Sequence, residues 1–332
     1  MKSHFPQPLV ALLCACILCA TSCNKDNKLE TSDVMSFRNI DVSDVCIIGD
    51  SVVIVCGSAV REGRIIKQRQ GFRAYTNAIT HTFDYPINSL YFNDTVIWAC
   101  GDNMLVLKST DYGTTWTQPY DFNYFWEYDR SNLTKIYATN DFPTFAIGAR
   151  ELFNGHIYVK SPSIGISQNE YPFLHRTPKT DVYDFTAISN SEFFVAGYGS
   201  IFRYINHGQT VELERIGGEI FSGITSVGND VITCSFSGNI FTRNILDENK
   251  EWNNVFKTNK NLRHIAATTN GYVLCIGDNN NSIFTSSNKG IDWNMRRFRG
   301  ANSVVAVKVA NNKFYVAQKN GQIVSIDPTT QF

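Results

Sequence analysis

Short apolar blocks, punctuated by glycine, asparagine and aspartate, run through almost the whole chain and recur in a fixed order. An apolar stretch is followed by a polar turn, then by a second apolar stretch that ends in a small residue. A short loop and a third stretch of the type x-Ile-aromatic-x complete the unit. The second stretches read "SVVIVCG", "TVIWACG", "PTFAIG", "EFFVAG", "DVITCS", "YVLCIG" and "KFYVAQ". The third stretches read "RIIKQR", "MLVLKS", "HIYVKS", "SIFRYI", "NIFTRN", "SIFTSS" and "QIVSID". Blocks this short, rich in β-branched and aromatic residues, predict strands and not helices. The first stretches, "VCII", "SLYF", "KIYAT", "DFTAI", "GITSV", "HIAAT" and "VVAVKV", give each unit its opening strand. Few of them alternate cleanly between apolar and polar, as expected of strands covered on both faces.

The residues that close the second strands are Gly57, Gly101, Gly148, Gly197, Ser235, Gly277 and Gln318, at intervals of 38 to 49 residues. A period of roughly 40 to 50 residues with several short strands per repeat is the signature of propeller blades. The expectation is therefore an all-β chain, folded as a single seven-bladed β-propeller of four-stranded blades, with six or eight blades as the less favoured counts. The last unit shows three strands before Phe332. The segment "VMSFRNI", Val34 to Ile40, precedes the first unit and is expected to supply the fourth, which removes an open sheet edge.

Composition narrows the picture at the N-terminus. Of 332 residues 43% are hydrophobic and 18% charged, enough apolar material for a large core. Basic and acidic side chains balance at 30 each, so charge gives no reason to expect nucleic acid as a partner. Lys2 and His4 precede the apolar run "LVALLCACILCA", which is too short to span a bilayer and reads as a signal peptide. The "ATSC" that follows, Ala20 to Cys23, resembles the lipobox of bacterial lipoproteins. That resemblance implies cleavage before Cys23, lipidation of its thiol and a stable membrane anchor. Lys25 and Asp26 resemble the export signal of Bacteroidetes surface lipoproteins, which implies an outer-membrane lipoprotein facing the cell exterior, with a periplasmic orientation as the alternative. The domain reading is a signal peptide at 1–22, the lipidated cysteine and tether at 23–32, and the propeller at 33–332. Five cysteines lie in the body, Cys46, Cys56, Cys100, Cys234 and Cys275; none are spaced Cys-x-x-Cys, and a Cys46–Cys56 bridge across a hairpin is left open.

Two stretches break the strand pattern in the same way, "STDYGTTWTQ" and "SSNKGIDWNM", from Ser109 and Ser286. Both resemble the Asp-box turn of sialidase, sortilin and photosystem assembly-factor propellers. The first matches at Ser109, Asp111, Gly113, Thr115 and Trp116. The second keeps Ser286, Gly290 and Trp293, with Asn288 and Asp292 in place of the aspartate and threonine. The local physics is that of a turn: an Asx side chain accepts from nearby backbone N–H groups and glycine supplies positive φ. A degenerate third copy is visible in "FTRNILDENKEW", with Trp252 displaced by an insertion. Asp111 is accordingly read as structural and not as a catalytic acid.

Candidate chemistry gathers on the loops between second and third strands and between units. "GSAVREGR" and "GARELFNGH" are the long ones and bring Arg61, Glu62, Arg64, Arg150 and Glu151. "YDFNYFWEYDR", Tyr120 to Arg130, places Tyr124, Trp126 and Tyr128 beside carboxylates, a combination suited to sugar rings or to a protein surface. The chain has no Arg-Ile-Pro stretch of a sialidase, no Gly-x-Ser-x-Gly elbow, no His-Glu-x-x-His and no phosphate loop. No metal or cofactor motif is present. The expected function is a monomeric, non-catalytic binding or assembly protein that holds a protein or glycan on its loop face. The alternatives are a glycan-active hydrolase or lyase and a purely glycan-binding lipoprotein.

Overall fold

A computed structural model describes residues 29–49, 52–60, 62–69, 78–119, 132–138, 145–150, 156–159, 181–189, 191–206, 210–214, 218–249, 251–277, 282–298 and 304–332. Within them the chain folds into seven antiparallel sheets, six made from consecutive strands and the last joining the N-terminal strand to the final three. The first strand of each unit is innermost: Asp41–Ile48, Ile87–Phe92, Asn132–Ala138, Val182–Ser189, Phe221–Val227, Leu262–Ala267 and Val304–Ala310. These strands pack side by side in chain order, and the last returns to contact the first, so the sheets form a ring. Five sheets have four strands, but the second and third have three among the described residues. In the second, a single bridge between Lys108 and Thr117 stands where a fourth strand would run.

Ring closure works through the N-terminal segment. Ser32–Ser36 pairs antiparallel with Gln322–Ile326 as the outer strand of the last sheet, slightly upstream of the expected Val34–Ile40. Leu29 is buried at the seam between the sixth and seventh sheets, and Glu30 exchanges hydrogen bonds with the Gln331 side chain at 2.7 and 2.9 Å. Phe332 stacks on Phe314 at the same seam.

Each hydrophobic cluster of the core lies between two consecutive sheets, so every inner strand is covered on both faces. The five cysteines are free and serve this packing as small apolar groups. Cys46 stands opposite Ile54, and Cys56 opposite Asp44, so the two are not cross-strand partners. Burial pushes the Cys46 thiol up to about 12, which keeps it protonated.

The same irregularity recurs in every sheet. One residue of the innermost strand is skipped in the pairing: Ser43, Asn88, Thr134, Tyr183, Ser222, Arg263 and Val305. A bulge of this kind adds twist and turns a side chain out of the ladder. It also explains the glycines that close the second strands. A Cβ on Gly57, Gly101 or Gly277 would stand 2.0, 2.1 or 2.5 Å from the carbonyl oxygen of Asp41, Pro86 or Asn261, at the start of the bulged strand. The bulged side chains stitch neighbouring sheets together. Asn88 donates to the Leu133 carbonyl (2.8 Å), Thr134 to that of Val182 (3.4 Å) and Ser222 to that of Leu262 (2.7 Å).

Candidate functional site

The residue immediately after each bulge is Asp44, Ser89, Lys135, Asp184, Gly223, His264 or Ala306 in ring order. All seven lie at the end of the sheets from which the loops between second and third strands emerge. Lys308, two residues beyond Ala306, joins them. The repeat thus sets a collar of charge around the axial channel, where a cavity of about 220 Å³ is lined by Ser89, Tyr91, Lys135, Asp184, Thr225 and Lys308 among others.

Asp44 is fully buried, and its carboxylate is saturated. It accepts from Val45 N (2.8 Å), Leu90 N (3.0 Å) and Ser89 Oγ (3.1 Å), and Lys308 Nζ lies 3.1 and 3.2 Å from its two oxygens. Burial alone would raise its pKa, but Lys308, Lys135 and the two amides outweigh burial and hold it below the usual carboxylate range. The pairing likewise keeps Lys308 charged: burial works against its ammonium group, and Asp44 and Asp184 more than compensate.

Asp184 sits differently. Its Oδ2 accepts from Ile224 N at 3.2 Å, while Lys135 Nζ stands 3.8 Å from Oδ1, too far for a hydrogen bond. Burial raises its pKa, and the lysines and backbone amides offset that only in part. His264 bonds the Val304 carbonyl through Nε2 at 3.1 Å; since a carbonyl only accepts, Nε2 carries the proton. Burial, with Lys135 and Arg263 nearby, lowers its pKa to about 3, so the imidazole is neutral.

The residues singled out by sequence fall elsewhere. Arg61, Tyr124, Trp126 and Tyr128 lie outside the described residues, as does Cys23. Arg150 ends a strand, with its backbone paired to Asn132. Arg64 donates to the Asn39 carbonyl at 3.1 Å and so braces the connection into the first sheet. The adjoining hairpin carries an unusual residue. Val60 is 97% exposed with φ of 50°, a conformation that β-branched residues rarely adopt.

The two tryptophan turns are structural. Ser109 Oγ donates to Asp111 Oδ1 (2.8 Å) and accepts from Gly113 N (2.8 Å). Asp111 also accepts from Thr114 N, Thr115 N and Thr115 Oγ1, at 3.0, 2.8 and 2.7 Å. The Thr115 amide leads these bonds in holding the carboxyl well below the usual range. The second turn repeats the scheme through Ser286, Asn288 and Asp292, and Trp293 Nε1 donates to the Gly290 carbonyl at 2.8 Å. Neither turn contributes to the lining of the channel cavity.

The collar was legible in principle. In six repeats its residue precedes or opens the first stretch and in the seventh it stands third, so with that offset the stretches read Asp, Ser, Lys, Asp, Gly, His, Ala down a single column. The bulge that turns this column toward the axis has no mark of its own in the sequence.

No protein-family model and no curated protein matches the chain. Solved structures do. The WD40 β-propeller domain of Doa1 aligns with a TM-score of 0.64 at 11% identity, over 92% of this chain and 99% of that one. A structure described as YCF48 bound to D1 peptide aligns with a TM-score of 0.66 at 14% identity, over 91% and 96%. Virginiamycin B lyase from Staphylococcus aureus gives 0.64 at 12%, over 90% and 99%. At such identities the likeness establishes the β-propeller fold and nothing finer.

Proposed function

We propose that this protein is a non-catalytic binding or assembly protein that holds a segment of a protein partner at the loop end of its axial channel. The observation that carries the reading is the channel cavity. Its collar of lysines and carboxylates has hydrogen-bonding capacity that the fold does not use, and its volume suits a single side chain or chain end. Val60 supports a protein partner. A valine held at positive φ costs about 1–3 kcal/mol, and a fully exposed tip returns no packing for that cost. Among the similar propellers one is bound to a peptide according to its description, and this is consistent with the same use here. A hydrolytic role is less well served, because Asp44 has no free oxygen to act as base or nucleophile.

The address belongs to the same proposal: Cys23 carries the lipid, and the propeller faces outward from the outer membrane. Metabolic labelling with an alkyne fatty acid should mark the wild type and not Cys23→Ala, and protease applied to intact cells should remove the body. Unlabelled wild-type protein would end the anchor reading.

The binding reading is tested by presenting the detergent-solubilised chain to a random-peptide display library and to a glycan array. Peptides should be retained, and Val60→Asp should reduce retention with no loss of thermal stability. Retention of glycans without peptides would overturn the proposal.

A further inference from the structure

The collar also indicates what kind of group it receives, and this inference rests on the binding role proposed above. A count of donors and acceptors decides it. Five donor contacts fall on the Asp44 carboxylate, which leaves it nothing to offer. Lys308 Nζ stands within 3.2 Å of both Asp44 oxygens, which still leaves at least one of its three N–H bonds for another acceptor. Lys135 makes no hydrogen bond through its ammonium group among the described residues, and its nearest carboxylate oxygen is 3.8 Å away. Against these hydrogens the lining sets the hydroxyls of Tyr91, Tyr137 and Thr225, which are neutral, and a single carboxylate, that of Asp184. The surplus is of cationic donors, and the ligand that satisfies cationic donors is an acceptor with negative charge.

We infer that the channel binds a carboxylate of a partner polypeptide, held by Lys135 and by a remaining hydrogen of Lys308. Asp184 is then the carboxyl group that stands beside Lys135 where the ligand's would bind. It competes with the ligand for Lys135 at a distance where it cannot form a hydrogen bond of its own, so an incoming carboxylate gains contacts that Asp184 does not make. A chain terminus and an acidic side chain present the same chemistry, and the experiment separates them.

The probes are N-acetylglycine for a chain terminus, N-acetylglutamate α-amide for a side chain, galacturonate for a sugar acid, and the uncharged N-acetylglycinamide. Each is titrated into the full chain in detergent, with the ammonium signals of Lys135 and Lys308 followed by NMR. One of the two peptide-like acids should bind saturably and the neutral amide at least about tenfold more weakly. Lys135→Met should cost about the same factor, and Lys135→Arg should retain most of the affinity. Asp184→Asn should tighten binding, a gain that no folding defect can produce. Equal binding of acid and amide, no saturable shift with either peptide-like acid, binding of galacturonate alone, or weaker binding in Asp184→Asn would each overturn the inference. If acid and amide bind equally, the peptide-binding role survives and only the carboxylate assignment fails.

Discussion

At the scale of single residues, two aspartates in one channel carry opposite electrostatic consequences. Asp44 is held ionised by Lys308 and by two backbone amides, and removing its charge leaves Lys308 without its partner. Lys308 is 32% exposed and stays hydrated, so Asp44→Asn should cost about 1.5–3 kcal/mol, as the loss of hydrogen bonds to a buried charge does. Burial outweighs the lysines and amides around Asp184, and its raised pKa means that folding disfavours its charge. Asp184→Asn retains an oxygen for the Ile224 amide and should leave stability within about 1 kcal/mol of the wild type, or raise it. Urea denaturation of the pair checks both; equal losses would show that the two carboxylates are not in different environments. His264 adds a pH dependence of definite sign. In the unfolded chain it takes a proton near 6.5, while in the fold its pKa is about 3. Its contribution is complete above the unfolded value and is lost as pH falls from 6.5 toward 3. His264→Gln should flatten the stability profile in that window by up to one proton, and an unchanged slope would mean that the imidazole is not held neutral.

At the scale of elements, the tryptophan turns act as wedges between sheets. Gly113 has φ of +80°, and a Cβ there would stand 2.7 Å from Ile54 Cδ1, on the second strand of the preceding sheet. Gly290 repeats this with φ of +81° and Ile232 Cδ1 at 3.1 Å. Both substitutions force a left-handed alanine against a fully buried isoleucine, but only the first brings the methyl closer than 3.0 Å. Gly113→Ala should cost about 2–3 kcal/mol and Gly290→Ala about 1–2 kcal/mol. Reversal of that order in thermal melts would refute the wedge geometry. These turns were legible from spacing alone, because their hydrogen bonds are local and demand specific residue types. The strands were legible for a similar reason: a repeated pattern reports itself. Register was not. Where Ser109 and Ser286 sit, the fifth sheet places Arg243, buried and ion-paired with Glu214 of the fourth sheet. Trp252, expected as a displaced relic of the motif, donates to that same glutamate at 2.8 Å and packs against the cluster between the fourth and fifth sheets. A pairing between sheets has no local signature, so neither contact could be read from the sequence.

At the scale of the whole molecule, a ring is only as secure as its closing seam. The pattern of strands pointed to an N-terminal strand on the last sheet, because the final unit was one strand short. It did not reveal that Leu29 enters the core just ahead of that strand, since a lone leucine among polar residues carries no periodicity. The seam joins the two ends of the chain through Leu29, the Glu30–Gln331 bonds, the pairing of Ser32–Ser36 and the Phe332–Phe314 stack. Burying Leu29 contributes about 1.5–3 kcal/mol, and Ser32–Ser36 covers the hydrogen-bonding edge of Gln322–Ile326. Leu29→Asp should therefore lower the melting temperature and leave the oligomeric state as in the wild type. Removal of residues 29–36 should do more, because it bares an edge strand with a full row of unpaired groups that invites pairing with a second chain. Light scattering coupled to size exclusion should show larger species for the deletion and the wild-type state for the point variant. If the deletion kept the wild-type state with an unchanged melting temperature, the seam would not be what holds the ring shut, and the contacts between innermost strands would have to close it alone.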